Sequence, residues 1–308
     1  MVQVFSTMKD KPSAYPFLLP SETGIGAKKY YDYQPIEFSI STDEGKTWHS
    51  CFDDPDLEGV YCFSAPDVQP AVQTDSLKKV GLQDGKRLMS TSYDTRQLTM
   101  QIVSMDNIDE GSSLLGYDAM QQFLVSRDPY WICFASWPQR MYYVKAELSA
   151  PTYTGNSWTA TVTFTDLIGL SRSVGTTQDT VYGFGNNLKQ KPQYAFSTSK
   201  FTVYNGSNVL IDPERRGHPF KMTLSGSSNG NLKITNKTTG DFVHGTSDLK
   251  FNGSFVIDGV NPKLNGEGCL LDLTKDDNVI TLQIGDNNFE VENFTGTVSF
   301  DFAEWWLS

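Results

Sequence analysis

Hydrophobic and polar residues alternate strictly over long stretches of this chain. From Trp158 to Thr165 every second residue is apolar and every intervening one is threonine. A period of two places Trp158, Ala160, Val162 and Phe164 on one buried face of a strand and turns the threonines outward. Leu98, Met100 and Ile102 alternate with Thr99, Gln101 and Val103 in the same way. Further strands are predicted over 142–148 and 131–135, and 36–40 runs into a hairpin turn near Asp43-Glu44-Gly45. One segment has a helical period instead. Leu114, Leu115, Met120, Phe123 and Leu124 share a stripe, which predicts a helix from about Ser113 to Ser126 with Ser112 or Ser113 as N-cap. Arg127-Asp128-Pro129 ends it, because proline disfavours a helical residue before it.

Beyond Phe164 the texture changes. Residues 169–199 are rich in Ser, Thr, Gly, Asn and Gln and read as a linker or exposed arm. A second β-rich stretch follows, with strands predicted over 201–204, 220–224, 232–235, 254–257, 279–284, 289–291 and 298–302. Asn205-Gly206, Asn229-Gly230, Asn252-Gly253 and Asp258-Gly259 punctuate them, as tight hairpin turns require. Short strands at even spacing with hardly a helix predict a β-sandwich. The chain shows no internal repeat of the propeller or solenoid kind. The expected division is an N-terminal domain over 1–177, a linker or arm over 178–197, and a C-terminal sandwich over 198–308.

Composition narrows the function classes. The 308 residues are 38% hydrophobic, enough for real cores and too many for a disordered chain. Lysine and arginine number 25 against 36 acids, a formal charge of -11, which repels phosphates and argues against general nucleic-acid binding. No apolar run is long enough to span a bilayer and the N-terminus lacks a secretory core, so no membrane insertion is expected. The four cysteines, Cys51, Cys62, Cys133 and Cys269, form no Cys-x-x-Cys pair, and neither a disulfide framework nor a structural zinc site is expected. Cys51 and Cys62 either bridge or stay free, and buried free thiols are the favoured reading. His49, His218 and His244 make no helical ligand pair, so neither a metal nor a cofactor is expected.

Several motifs invite a catalytic reading and do not sustain one. Residues 41–48, Ser-Thr-Asp-Glu-Gly-Lys-Thr-Trp, match the Asp-box hairpin found in sialidases. There it is a folding device, and a propeller would need several copies where this chain has one. Acid pairs at Asp53-Asp54, Asp109-Glu110 and Asp276-Asp277 resemble the two carboxyls of a glycosidase, but adjacent acids on turns read as solvated surface. Asp272, Asp276 and Asp277 lack the spacing of a calcium loop, and Gly183-Phe184-Gly185 lacks a strand-to-helix setting for binding phosphate. No catalytic, cofactor-binding or metal residue is nominated, and the chain is not expected to be an enzyme. Tyr30, Tyr31 and Tyr33 are expected to be exposed, whereas Trp305 and Trp306 are read as core in preference to sugar or partner platforms.

The order of several motifs is more specific than any one of them. Gly81-Leu82-Gln83-Asp84-Gly85 is followed by a strand entered through Arg96, a helix ending in Phe123-Leu124, and Arg127-Asp128-Pro129-Tyr130-Trp131-Ile132. Pro138 to Val144 and the long strand from Trp158 to Asp166 come next. Over about residues 80–176 this order resembles the N-terminal domain of siphophage distal tail proteins. Phe201 to Gly206, Ile211-Asp212-Pro213, Leu232 to Gly240, Ile280 to Asn287, Val298 to Phe302 and Trp305-Trp306-Leu307 resemble that family's galectin-like second domain. Residues 1–75 fit it least. The resemblance implies a mainly β chain: a β-sandwich or split-barrel-like N-terminal domain with one helix, then a galectin-like β-sandwich. It further implies a structural virion protein at the distal end of a long non-contractile phage tail, assembled in the host bacterial cytoplasm. Its expected partners are itself in a hexameric ring, the tail-tube protein, the tail-associated tip protein and receptor-binding proteins, with genome DNA passing through unbound. A lectin-like adhesion protein is the alternative.

Overall fold

The computed structural model describes residues 2–9, 11–12, 35–82, 84–104, 109–179, 193–274 and 279–308. Tyr30, Tyr31, Tyr33, Gly183-Phe184-Gly185 and Asp276-Asp277 lie outside the described residues. The chain is mainly β and divides into two compact units, residues 2–171 and 172–307.

The first unit contains β1 (Phe38–Ser41), β2 (His49–Ser50), β3 (Val60–Val68), β4 (Val72–Lys78), β5 (Arg87–Asp94) and β6 (Arg96–Ser104). The helix α1 (Glu110–Leu124) precedes β7 (Tyr130–Phe134), β8 (Arg140–Leu148), β9 (Thr152–Thr154) and β10 (Ser157–Asp166). Its main sheet runs β2-β1-β7-β8-β10-β6-β3, with β9 beside β10. The backbone N–H of Ile36 donates to Cys62 O at 2.8 Å, so the chain entering β1 bridges back to β3 and the sheet curls onto itself.

Alternation predicts the inner face correctly. Trp158, Ala160, Val162 and Phe164 are buried, as are Leu98, Met100 and Ile102 on the neighbouring strand. Full burial of such a side chain contributes roughly 1.5–3 kcal/mol. Trp158 also donates its indole N–H to Ser113 O on α1 at 2.9 Å and meets Tyr117 edge to face. The threonines of β10 do point to the other face, but Thr161, Thr163 and Thr165 are half-buried there. Thr161 donates its hydroxyl to Gln101 Oε1 at 2.9 Å.

The helix begins earlier than its apolar stripe suggests. Asp109 is the N-cap, accepting from the Ser112 backbone N–H at 2.8 Å, while the Ser112 hydroxyl accepts from the Asp109 N–H at 3.1 Å. That reciprocal capping box is a stronger start than a lone serine. Ser113, Met120 and Leu124 face the core, whereas Leu114 and Leu115 are 57% and 72% exposed. The predicted stripe is therefore half right.

The second unit carries β11 (Ser171–Ser173, straddling the boundary), β12 (Ala195–Phe196), β13 (Lys200–Asn205), β14 (Phe220–Asn229), β15 (Lys233–Asn236) and β16 (Phe242–His244). It continues with β17 (Lys250–Asp258), β18 (Asn261–Leu264), β19 (Glu267–Gly268), β20 (Gly285–Glu292), β21 (Thr295–Phe302) and β22 (Trp305–Trp306). Two antiparallel sheets, β12-β21-β14-β17-β18-β19 and β13-β20-β15-β16, enclose a core that includes Phe201, Phe220, Phe255, Phe289 and Phe300. The sandwich is as predicted, but several local readings are not. Only Asp258-Gly259 of the four turn dipeptides closes a tight hairpin, between β17 and β18. Asn252-Gly253 lies inside β17, paired with Gly226 and Ser227 of β14. The predicted strand over 279–284 is reduced to one bridge, Leu282 to Ile211, and β20 starts only at Gly285. At the start of the linker-like stretch, Thr177 is buried, donating its hydroxyl to Phe300 O at 3.0 Å and accepting from Phe302 N–H at 3.2 Å.

Trp158→Ala is expected to destabilise the first unit by roughly 3–5 kcal/mol, through lost transfer energy and the cavity left behind. Thr161→Ala, which loses a half-buried hydrogen bond, is expected to cost about 1 kcal/mol. Thermal unfolding of both variants checks the difference, and equal losses would contradict the assigned faces.

Candidate functional site

The described residues offer surfaces for association more clearly than a reaction centre. β4 and β5 form a separate two-stranded sheet, so residues Val72–Asp94 project as an arm. Neither strand has a buried side chain. Two cross-strand bonds brace the arm: Thr74 Oγ1 to Asp94 Oδ2 at 3.0 Å, and Thr91 Oγ1 to Asp75 Oδ1 at 2.8 Å.

The root of the arm is as buried as its tip is open. Arg96, the first residue of β6, lies opposite Asp166, the last of β10. Arg96 Nε donates to Asp166 Oδ2 at 3.0 Å, with both side chains wholly buried. Asp166 Oδ1 also accepts from the backbone N–H groups of Ile168 and Gly169, each at 3.1 Å. The Arg96 guanidinium reaches Gln69 O at 3.4 Å and lies over the Tyr142 ring. Gly169 has φ +73°, and a Cβ there would stand 2.0 Å from Asp94 O, so the chain passes the arm's base where no side chain fits.

A cleft of about 580 Å³ opens elsewhere on this unit. Ile40, Trp48, Ala119 and Phe123 give it apolar walls, and Asp53, Asp54 and Asp56 add three carboxylates. Trp48 is positioned by the Asp-box hairpin. Asp43 accepts from the Lys46 and Thr47 backbone N–H groups and from the Ser41 and Thr47 hydroxyls, while the Trp48 indole donates to Gly45 O at 2.9 Å. Hydrogen bonds from Thr47 above all hold the Asp43 carboxyl down at about 2. Its oxygens are thus engaged within the turn, in keeping with a folding role.

Other candidates disperse. Among the described residues no three His, Cys, Asp or Glu side chains assemble as a metal site. All four cysteines are buried and unbridged, and burial pushes the Cys62 thiol up to about 12. Trp305 and Trp306 are buried, Trp305 stacking on His218 and Trp306 donating to Gly206 O at 3.2 Å, so neither is an exposed platform. His218 Nδ1 accepts from the Asp212 N–H at 3.2 Å, and burial holds its imidazole down at about 4. On the second unit, Leu270 and Leu271 are 68% and 96% exposed beside a groove of about 600 Å³ lined also by Val260 and Pro262. Sequence periodicity missed the arm, the cleft and this groove, because each is defined by apolar residues left outside.

No protein-family model and no curated protein matches the chain. Among solved structures, it is similar to the SPP1 Dit protein, described as a paradigm of the hub adsorption apparatus in phages infecting Gram-positive bacteria. The identity is 13%, the TM-score 0.59, and the match covers 87% of this chain and 98% of that one. The chain has the fold of a phage tail-hub protein. Two structures of the phage P2 baseplate in its activated conformation, with calcium or strontium, also match at 9% and 10% identity, covering 87% of this chain and 98% of theirs, with TM-scores of 0.38. The likeness in fold to the SPP1 Dit protein extends over most of the chain.

Two tests follow from these buried polar groups. Asp166→Ala should destabilise the first unit by about 3–5 kcal/mol by leaving Arg96 buried without its counter-ion, whereas Arg96→Met with Asp166→Leu should recover much of the loss. Denaturant unfolding of the single and double variants measures this. For His218, the unfolded chain takes up a proton below its ordinary 6.5 that the folded unit refuses until about 4. Its contribution is therefore intact above pH 6.5 and is lost as the pH falls from 6.5 towards 4. The second unit should lose on the order of 2 kcal/mol over that window, and His218→Gln should flatten the dependence. A pH series of unfolding curves decides it.

Proposed function

We propose that this protein is a structural hub of a long non-contractile phage tail, forming a hexameric ring through its first unit. The ring joins the tail tube on one side to the tail-tip protein on the other. The second unit presents receptor-binding or other baseplate components, and genome DNA passes through the ring without specific binding. The observation that carries this reading is the similarity to the SPP1 Dit hub protein, which spans 98% of that chain and both units of this one.

Physical features support the reading. A net charge of -11 disfavours adhesion to the phosphate backbone, as a passage for DNA requires. The outer faces of β6 and β10 carry Gln97, Thr99, Gln101, Thr159, Thr161, Thr163 and Thr165, hydroxyl and amide groups with no charge to grip phosphate. A ring built by repeating one contact also ends its own growth. Sugar binding through Trp305 and Trp306 loses its basis because both are buried.

The purified full chain is expected to show a sixfold mass by light scattering at micromolar concentration. A clean monomer at every accessible concentration would remove the ring.

A further inference from the structure

The projecting arm has the composition of something that seats in a pocket. Lys78, Lys79, Lys86 and Arg87 crowd its tip against one carboxylate, Asp84, in a chain whose formal charge is -11. Apolar side chains stand among them: Val80 is 43% exposed, Leu82 102%, Leu88 53% and Met89 56%. An isolated two-stranded hairpin is marginal in water, and exposed apolar clusters of this kind mark docking surfaces.

The cleft has the complementary chemistry, with apolar walls from Ile40, Trp48 and Phe123 and carboxylates from Asp53, Asp54 and Asp56. Asp53 and Asp56 are exposed. The two features lie at opposite ends of one strand. The cleft lies beside the residues leading into β3, and the arm leaves from the end of β3, whose nine residues span roughly 25 Å. The arm thus leaves the unit at the far end of β3 from its own cleft, and the cleft of another copy offers it the matching chemistry. Because donor and acceptor are different surfaces, the contact is heterologous, the type that closes rings.

We propose that the basic, apolar tip of the β4–β5 arm inserts into the acidic cleft of the adjacent copy, with Leu82 entering between Trp48 and Phe123 and the tip cations facing Asp53, Asp54 and Asp56. This rests on the ring reading above and names the contact that holds it. The partner is a second copy of this chain, and charge pairing selects the register while the apolar plug supplies the buried area.

The test uses full-length chains. Tip reversal combines Lys78→Glu, Lys79→Glu, Lys86→Glu and Arg87→Glu, and cleft reversal combines Asp53→Lys with Asp56→Lys. Light scattering across a concentration series reads assembly, and thermal unfolding confirms that each variant is folded. Each reversal alone is expected to raise the concentration for half-assembly at least about tenfold, and the two together in one chain to recover most of it. Leu82→Asp should weaken assembly without altering unfolding. Undiminished rings after tip reversal would overturn the contact while leaving the ring itself standing. Two broken single reversals with no recovery in the combined chain would give the tip a different occupant and also overturn it. Duplex DNA binding that disappears on tip reversal while rings persist would assign the tip to nucleic acid, against the proposal. A monomeric unsubstituted chain would remove both readings.

Discussion

The first unit depends on one ion pair placed where water does not reach. Taking Arg96 and Asp166 out of solvent costs several kcal/mol per ion, and the cost is offset only by near-complete hydrogen bonding. Asp166 meets this demand with the Arg96 guanidinium and two backbone N–H groups, and Arg96 adds Gln69 O and the face of Tyr142. Since these residues face each other in the ladder, the pair also fixes register along the rest of it, from Thr165 opposite Gln97 to Trp158 opposite Ser104. A slip by one residue would bury unpaired charge and turn Trp158 and Phe164 outward. The arm is thus anchored by a device with almost no tolerance for misplacement.

How much of this was legible in the sequence depends on whether the deciding contact is local. Alternation revealed β6 and β10 because their inner residues meet a core on one side. The second unit's sandwich was legible for the same reason. The helix starts before its apolar stripe because the capping box belongs to Asp109 and Ser112, while the leucines that mimic a stripe are solvent-facing. Asn252-Gly253 passes through a strand because its glycine pairs with Gly226 on β14, a partner far away in sequence. The entry arginine at position 96 stands out as a motif, but nothing near it in sequence points to Asp166. The arm escaped a period-based reading because neither of its faces is buried, so its leucines and methionine follow no inside–outside rule.

The two units manage their polar groups differently. The first buries an ion pair at the foot of the arm and, separately, Glu37, which pairs with Lys11 and accepts from the Ser6 N–H and the Ser50 hydroxyl. The second sets neutral groups beside its buried acids Asp212 and Glu304: Asn205 donates to Val209 O and Leu282 O, Asn287 joins Gln283 and Gly285, and His218 stays uncharged against Trp305. Asn236 adds a bond to Thr281 O, so side chains stand in for the strand that fails to form before Gly285. Amides can satisfy both donor and acceptor without the solvation cost of ions. Acidification therefore reaches the second unit's interior in part through its buried imidazole.

The arm's open edges carry a consequence for the time before assembly. β4 and β5 pair only with each other, leaving each an unpaired outer row of backbone groups, the template along which freshly made chains stack into aggregates. Lysines at a strand end are a common safeguard against such stacking, and Lys78, Lys86 and Arg87 flank the turn of this hairpin. Like charges brought together would keep newly synthesised arms apart in a crowded cell, so the tip cations act as gatekeepers over the interval when the chain is folded but still alone.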